Sequence, residues 1–183
     1  MTESSTIQVS DREFKSYLSR EQIQSEVQRV ASQINADLQG VERPLFLCVL
    51  NGAFIFAADL FRCITLPQAE FTTIRLKSYA GLSTTGEVRV ISGLTEAIEG
   101  RTVVIIEDIV DSGYTMDRLI HQLLGFGAGQ VKVCTLLRKP NALKVPNLQI
   151  DYCCFEIPND FIVGYGLDYN EQGRNLPDIW VVK

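Results

Sequence analysis

The sequence has no run of lysines or arginines, no Cys-x-x-Cys spacing and no apolar stretch long enough to cross a bilayer. Each absence removes a class of function. The basic residues are scattered and the formal net charge is −5. Such a chain repels nucleic acid at long range, so a nucleic-acid role would need a local basic patch. A membrane-spanning helix needs about 20 consecutive apolar residues, and none is present. The cysteines are five, an odd number: Cys48, Cys63, Cys134, Cys153 and Cys154. The vicinal pair sits in Tyr152-Cys153-Cys154-Phe155, which reads as a strand, so these thiols are expected to be small buried hydrophobes. Met1-Thr2-Glu3-Ser4-Ser5 is polar and acidic and lacks the basic start and apolar core of a secretory signal. With the cysteine usage, this predicts a reducing, cytoplasmic setting. No internal repeat or low-complexity linker is visible.

What is present fits one globular domain. The chain has 183 residues, 46% hydrophobic and 21% charged, enough for a substantial core. Ile23, Val27, Val30, Ile34 and Leu38 recur at three- and four-residue spacing, which predicts a helix over 20–39, with Ser19 as N-cap and Gly40 as its stop. Leu45 to Leu50 is apolar without alternation, as in a strand buried on both faces. Asn51-Gly52 breaks it, and a short helix follows over 54–61. Strands are expected at 71–79, 87–91, 102–106, 131–137, 152–156, 161–165 and 179–182, with a helix over 114–125. Apolar strands alternating with helices predict an α/β fold, a mostly parallel central sheet with helices on both faces. Ligands bind beyond the carboxyl ends of such strands. That rule directs attention to Leu50-Asn51-Gly52, to Glu107 through Thr115, and to Arg138-Lys139.

The segment Val103-Val104-Ile105-Ile106-Glu107-Asp108-Ile109-Val110-Asp111-Ser112-Gly113-Tyr114-Thr115 carries the chemistry. Adjacent carboxylates at a strand end repel one another and call for a cation or several hydroxyl donors. Next come Asp111, then Ser112-Gly113, then Thr115 at a helix start. Backbone N–H groups there can cradle a phosphate, glycine permits close approach, and the two hydroxyls add donors. A phosphate in the loop and a diol facing the acids together describe a ribose phosphate. Two other readings share these features. One is a capped helix with solvated acids. The other is a receiver-type domain, whose acid pair normally follows the first strand instead of one so late in the chain.

The motif resembles the phosphoribosyl diphosphate signature of type I phosphoribosyltransferases, and the chain from Leu45 to Val182 is similar to the 6-oxopurine (hypoxanthine-guanine) branch. The resemblance implies a type I phosphoribosyltransferase fold in one domain, 1–183. It adds a small hood from the terminal segments, the N-terminal helix and Tyr152–Lys183. Its reaction would transfer phosphoribose to hypoxanthine or guanine, with Mg2+ as cofactor. Asp111 stands where the branch carries its general base near purine N7. A carboxylate in hydrogen-bond reach can take the proton that the base loses. Glu107 and Asp108 would hold the ribose hydroxyls, partly through magnesium, and Ser112, Gly113, Tyr114 and Thr115 the phosphate. Lys139 matches the lysine that donates to the exocyclic oxygen at C6, and a donor-only group disfavours the 6-amino group of adenine. Phe161 would stack on the base and Ile162 would offer backbone groups. In Asp168-Tyr169-Asn170-Glu171 and Arg174, Asp168 would ligate a second magnesium beside the purine site and Arg174 would bind diphosphate. Lys77-Ser78-Tyr79 and Thr84-Thr85-Gly86 resemble a lid in which Ser78 and Tyr79 close over diphosphate. Asn51-Gly52 matches a diphosphate loop whose peptide can be cis, but a basic residue is common where Asn51 stands.

Rivals remain at this stage: a xanthine-specific enzyme, a related regulator that binds RNA or DNA, and a nucleotide sensor without turnover. The expected partners are small molecules, with no nucleic acid and no membrane, and the resemblance implies a homodimer or homotetramer.

Overall fold

A computed structural model describes residues 5–78, 88–92, 94 and 96–183. Its body is a six-stranded sheet. In chain order the body strands are β3 (Leu45–Leu50), β4 (Glu70–Ser78), β5 (Val88–Ser92), β6 (Thr102–Val110), β7 (Gln130–Arg138) and β8 (Tyr152–Glu156), and their order across the sheet is β5-β4-β3-β6-β7-β8. All pairs are parallel except β4 with β5. The runs Leu45–Leu50 and Val103–Ile106 in the middle of the sheet are apolar on every residue because helices cover both faces. Helices α1 (Arg20–Asp37) and α2 (Phe54–Arg62) pack on one face, with Phe46, Cys48, Val104 and Ile106. Helix α3 (Tyr114–Gly125) packs on the other, with Leu45, Leu47, Val103 and Ile105. The alternation of neighbouring residues between the two clusters is the two-residue period of a strand.

Helix α1 begins as its sequence demands. Ser19 Oγ accepts from the Gln22 N–H and Gln22 Oε1 accepts from the Ser19 N–H, a reciprocal cap. Ile23, Val27, Val30 and Ile34 are buried, each worth about 1.5–3 kcal/mol relative to exposure. The helix ends at Asp37, earlier than the expected 39, and Gly40 takes a φ of +80° just beyond it.

A second sheet, β1-β2-β10-β9, sits beside the body. It joins an N-terminal hairpin, β1 (Thr6–Val9) and β2 (Arg12–Leu18), to β9 (Ile162–Val163) and β10 (Ile179–Val182). The sequence pattern predicts no strand before α1, so this hairpin is an addition to the expected elements. The hood therefore differs from the expectation. Helix α1 buries its apolar face against the body, and Tyr152–Glu156 extends the main sheet by pairing with β7. The N-terminal contribution to the hood is the hairpin before the helix.

Two further boundaries moved. The expected strand 161–165 keeps only Ile162–Val163. Gly164 and Tyr165 turn to positive φ, and a Cβ on Gly164 would lie 2.0 Å from the Asp178 carbonyl oxygen. The strand expected to end at Ile106 continues to Val110, because β7 keeps pairing with it through Ile109↔Leu137 and Val110↔Arg138.

Candidate active site

That extension shapes the cleft. β3 pairs with β6 only as far as Cys48↔Ile106, so β6 outruns it and Glu107–Val110 are paired on the β7 side alone. α2 leads from β3 to one side of the sheet, while α3 leads from β6 to the other. The crevice between β3 and β6 is a switch point of this kind of sheet. Leu50-Asn51-Gly52 turns above it, with a cis peptide between Leu50 and Asn51. Gly52 must be glycine: a Cβ there would sit 1.6 Å from Asp108 Oδ2.

A cavity of about 270 Å³ opens at this point, lined by Glu107, Asp111, Ser112, Gly113 and Thr115 over a floor that includes Val49 and Met116. Gly113 caps α3 with a φ of +85°, and its missing side chain lets Leu143 and Leu148 close to 2.8 Å of where a Cβ would be. No side chain caps the helix start, which leaves its first N–H groups facing the cavity end of the loop. Tyr114, the first residue of α3, is half exposed. Glu107 is buried, and burial, then the Asp108 carboxyl beside it, push its pKa well up. Asp108 Oδ1 accepts from the Ile109 N–H at 2.9 Å.

Lys139 is buried at the end of β7, with its Nζ 3.5 Å from Asp111 Oδ2. A surface lysine would be the ordinary expectation at a strand end; here the charge is held in the cleft against an acid.

The loop after β9 brings the remaining residues. Phe161 precedes the strand with 41% of its surface exposed, and Ile162 is buried behind it. Asp168 accepts from the Glu171 N–H through Oδ2 at 2.8 Å and pairs through Oδ1 with Arg174 at 2.8 Å. Arg174 also donates to the Gly166 carbonyl. A Cβ on Gly166 would come within 2.1 Å of the Gly52 carbonyl oxygen, so the two loops touch backbone to backbone. Tyr165 donates to Asp59 Oδ2 at 2.6 Å and ties the same loop to α2. Ser78 ends β4; the lid residues Tyr79 and Thr84-Thr85-Gly86 lie outside the described residues. Sequence reasoning missed the contribution of Phe14 and Tyr169, whose rings neighbour Phe161. The alternation of Thr6-Ile7-Gln8-Val9 was the available signal for the hairpin that carries Phe14.

None of the cysteines lines the cavity. All five are unpaired, and burial pushes Cys48 up to about 12 and Cys153 up to about 11. Such thiols are poor nucleophiles and poor ligands.

The chain is similar to known proteins in both sequence and fold. Residues 14–170 match the phosphoribosyl transferase domain. The hypoxanthine-guanine phosphoribosyltransferase of Mycobacterium tuberculosis is 42% identical over 165 residues, covering 87% of this chain and 81% of the relative. That of Bacillus subtilis is 40% identical, covering 92% and 93%. A crystal structure of the Bacillus anthracis hypoxanthine-guanine phosphoribosyltransferase superposes with a TM-score of 0.84 at 40% identity, covering 92% of this chain and 96% of that one. Given a fold and a sequence that agree over most of the chain, this protein belongs to the phosphoribosyl transferase family, in its hypoxanthine-guanine branch.

Proposed function

We propose that the protein transfers the 5-phosphoribosyl group from phosphoribosyl diphosphate to hypoxanthine or guanine, giving IMP or GMP and diphosphate. The observation that carries this reading is the Lys139–Asp111 pair, 3.5 Å apart, with Asp111 itself lining the cavity. O6 and N7 lie side by side on one edge of a 6-oxopurine, and O6 is an acceptor. Lysine is a donor only, and a carboxylate can take a proton. The pair would part over that edge, Lys139 donating to O6 and Asp111 taking the proton at N7. Adenine offers a donor where Lys139 needs an acceptor, so adenine is expected to be a poor substrate.

Ribose and phosphate follow from the same segment. Glu107 and Asp108 would face the 2- and 3-hydroxyls. The N–H groups of Ser112, Gly113, Tyr114 and Thr115, with the two hydroxyls, would hold the 5-phosphate. Diphosphate would leave against the backbone of Asn51-Gly52 and the Arg174 guanidinium, which stabilise developing negative charge. The backbone contacts do not need a basic side chain at position 51. Phe161 would stack the base, with Ile162 at its edge. Ser78 and Tyr79 would close over the diphosphate and exclude water.

The donor set fits magnesium. Glu107, Asp108 and Asp168 offer hard oxygen donors, and a buried acid beside a second acid favours a cation. Among the described residues no three His, Cys, Asp or Glu side chains form a cage of their own, which suits an ion that takes most of its ligands from phosphate and water. When bound, magnesium supplies charge stabilisation to the departing diphosphate.

The proposal includes one working unit over 1–183, with the hood closing the purine end, a cytoplasmic setting and a homodimer or homotetramer. No helix among the described residues is long and apolar enough to cross a membrane.

The test is a spectrophotometric assay with phosphoribosyl diphosphate and magnesium, offering hypoxanthine, guanine, xanthine and adenine in parallel. Conversion of hypoxanthine or guanine, with adenine inert and activity abolished by chelator, is expected. Turnover of adenine alone would overturn the role of Lys139.

A further inference from the structure

We propose that Tyr169 is a positioning residue for the purine: clamped by the N-terminal hairpin, it fixes the plane of the Phe161 ring. The inference rests on the reading above, in which Phe161 stacks the base.

Phe161 stands one residue before β9 and is substantially exposed. A phenylalanine in that setting rotates about its side-chain bonds unless other groups hold its edge. Two rings do so. Tyr169 meets it edge to face, with centroids 5.6 Å apart and planes at 80°. Phe14, wholly buried in β2, lies 6.3 Å away at 46°. Phe14 and Tyr169 are 6.3 Å from each other, so the three rings close a triangle. Two corners are covered or partly covered and one is open to solvent. Ring pairs of this geometry carry an orientation preference beyond the area they bury.

Tyr169 is itself held from two directions. The Arg12 guanidinium stands 5.1 Å from its ring centroid, within the range of a cation–π contact. Hydrogen bonding with Tyr169 is also the main cause that keeps the neighbouring Asp11 carboxyl below its usual range. Asp11 and Arg12 form the tip and first residue of the hairpin's second arm. The backbone of Tyr169 is locked by reciprocal hydrogen bonds with Gln172, at 2.9 and 3.1 Å. In the same turn the Glu171 N–H orients the Asp168 carboxylate. Asp11, Arg12 and Phe14, from the start of the chain, thus grip a residue near its end, and that residue braces the stacking ring.

The 5-phosphate loop belongs to a different segment, at the β6–α3 junction. Disturbing Tyr169 should therefore be felt in purine affinity and little in phosphoribosyl diphosphate affinity. A merely structural role would lower stability and move both.

The experiment is steady-state kinetics on the full chain with magnesium, varying hypoxanthine and phosphoribosyl diphosphate separately, beside thermal unfolding. Tyr169→Leu is expected to raise KM for hypoxanthine roughly 3- to 10-fold, with KM for phosphoribosyl diphosphate within about twofold of wild type. Tyr169→Phe, which keeps the ring, should restore most of the loss. Arg12→Met should raise the same KM by roughly 2- to 5-fold, and it carries the test if Tyr169→Leu does not fold. An active wild type whose hypoxanthine KM is unmoved by Tyr169→Leu or Arg12→Met would overturn this inference alone, as would equal rises in both KM values. A wild type that converts no base would overturn the transferase reading and this inference with it.

Discussion

The proposed phosphate end of the cleft, Glu107 through Thr115, is one continuous segment, a strand end, a turn and a helix start. The proposed purine end draws Lys139, Phe14 and the Phe161–Tyr169 stretch from three separate parts of the chain. The first arrangement is nearly fixed by local geometry: a left-handed glycine, an uncapped helix and an acid pair. The second exists only when the hood sheet has formed, because Phe14 and Phe161 come from opposite ends of the sequence. Phosphate recognition is similar in shape whatever the base, so a compact motif suffices for it. Base recognition needs groups above, below and beside a flat ring, and one segment cannot surround it.

The comparison can be broken by substitutions at each end. A large effect is expected where Gly52 meets Asp108. In Gly52→Ala the added methyl would meet Asp108 Oδ2 at 1.6 Å, so one of the two must move. Misplacement on that scale is expected to lower kcat/KM on the order of 100-fold or more, read with phosphoribosyl diphosphate as the varied substrate. Near-normal kinetics would mean that the two loops yield independently.

Asp111→Ala sharpens the division between binding and chemistry. It should lower kcat by roughly 10²- to 10³-fold, while phosphoribosyl diphosphate binding by calorimetry changes little. The reverse pattern would take the base role away from Asp111. Lys139→Met probes the purine end. Loss of a charged donor to O6 should lower kcat/KM for hypoxanthine on the order of 10- to 100-fold, and an unchanged ratio of hypoxanthine to adenine turnover would count against the donor argument.

Two smaller effects test the frame that holds the ends together. Tyr165→Phe removes the buried hydroxyl that donates to Asp59, whose carboxylate also pairs with Arg62. The expected cost is about 1–2 kcal/mol in denaturant unfolding. Ser19→Ala removes one half of the reciprocal cap on α1. About 0.5–1 kcal/mol of stability should go with it, and neither KM should change, since α1 lies on the body away from the cleft.

The elements that could be read from sequence were those whose pattern is local and strong. The apolar runs at Leu45–Leu50 and Thr102–Ile106 are buried on both faces, and no surface exposure confuses their signal. Tyr114–Gly125 and Tyr152–Glu156 stand where they were expected. The hairpin at Thr6–Leu18 was passed over because its two-residue turn, Ser10-Asp11, lacks the Asn-Gly or Asp-Gly signal, although Ser10 takes a φ of +53°. The end of β6 was set too early because Glu107 and Asp108 look like a strand's end. Only pairing with β7, a partner some thirty residues away in sequence, holds them extended.

The sequence by itself determined the alternation of strands and helices, the phosphate loop and the identity of the acids, because each depends on residues a few positions apart. The tertiary structure alone decided three things. It brought Lys139 to Asp111, it placed Gly52 against Asp108 and Gly166, and it closed the ring triangle around Phe161. Each joins segments whose separation along the chain carries no pattern, and each is held by packing and backbone approach that a list of residue types does not contain.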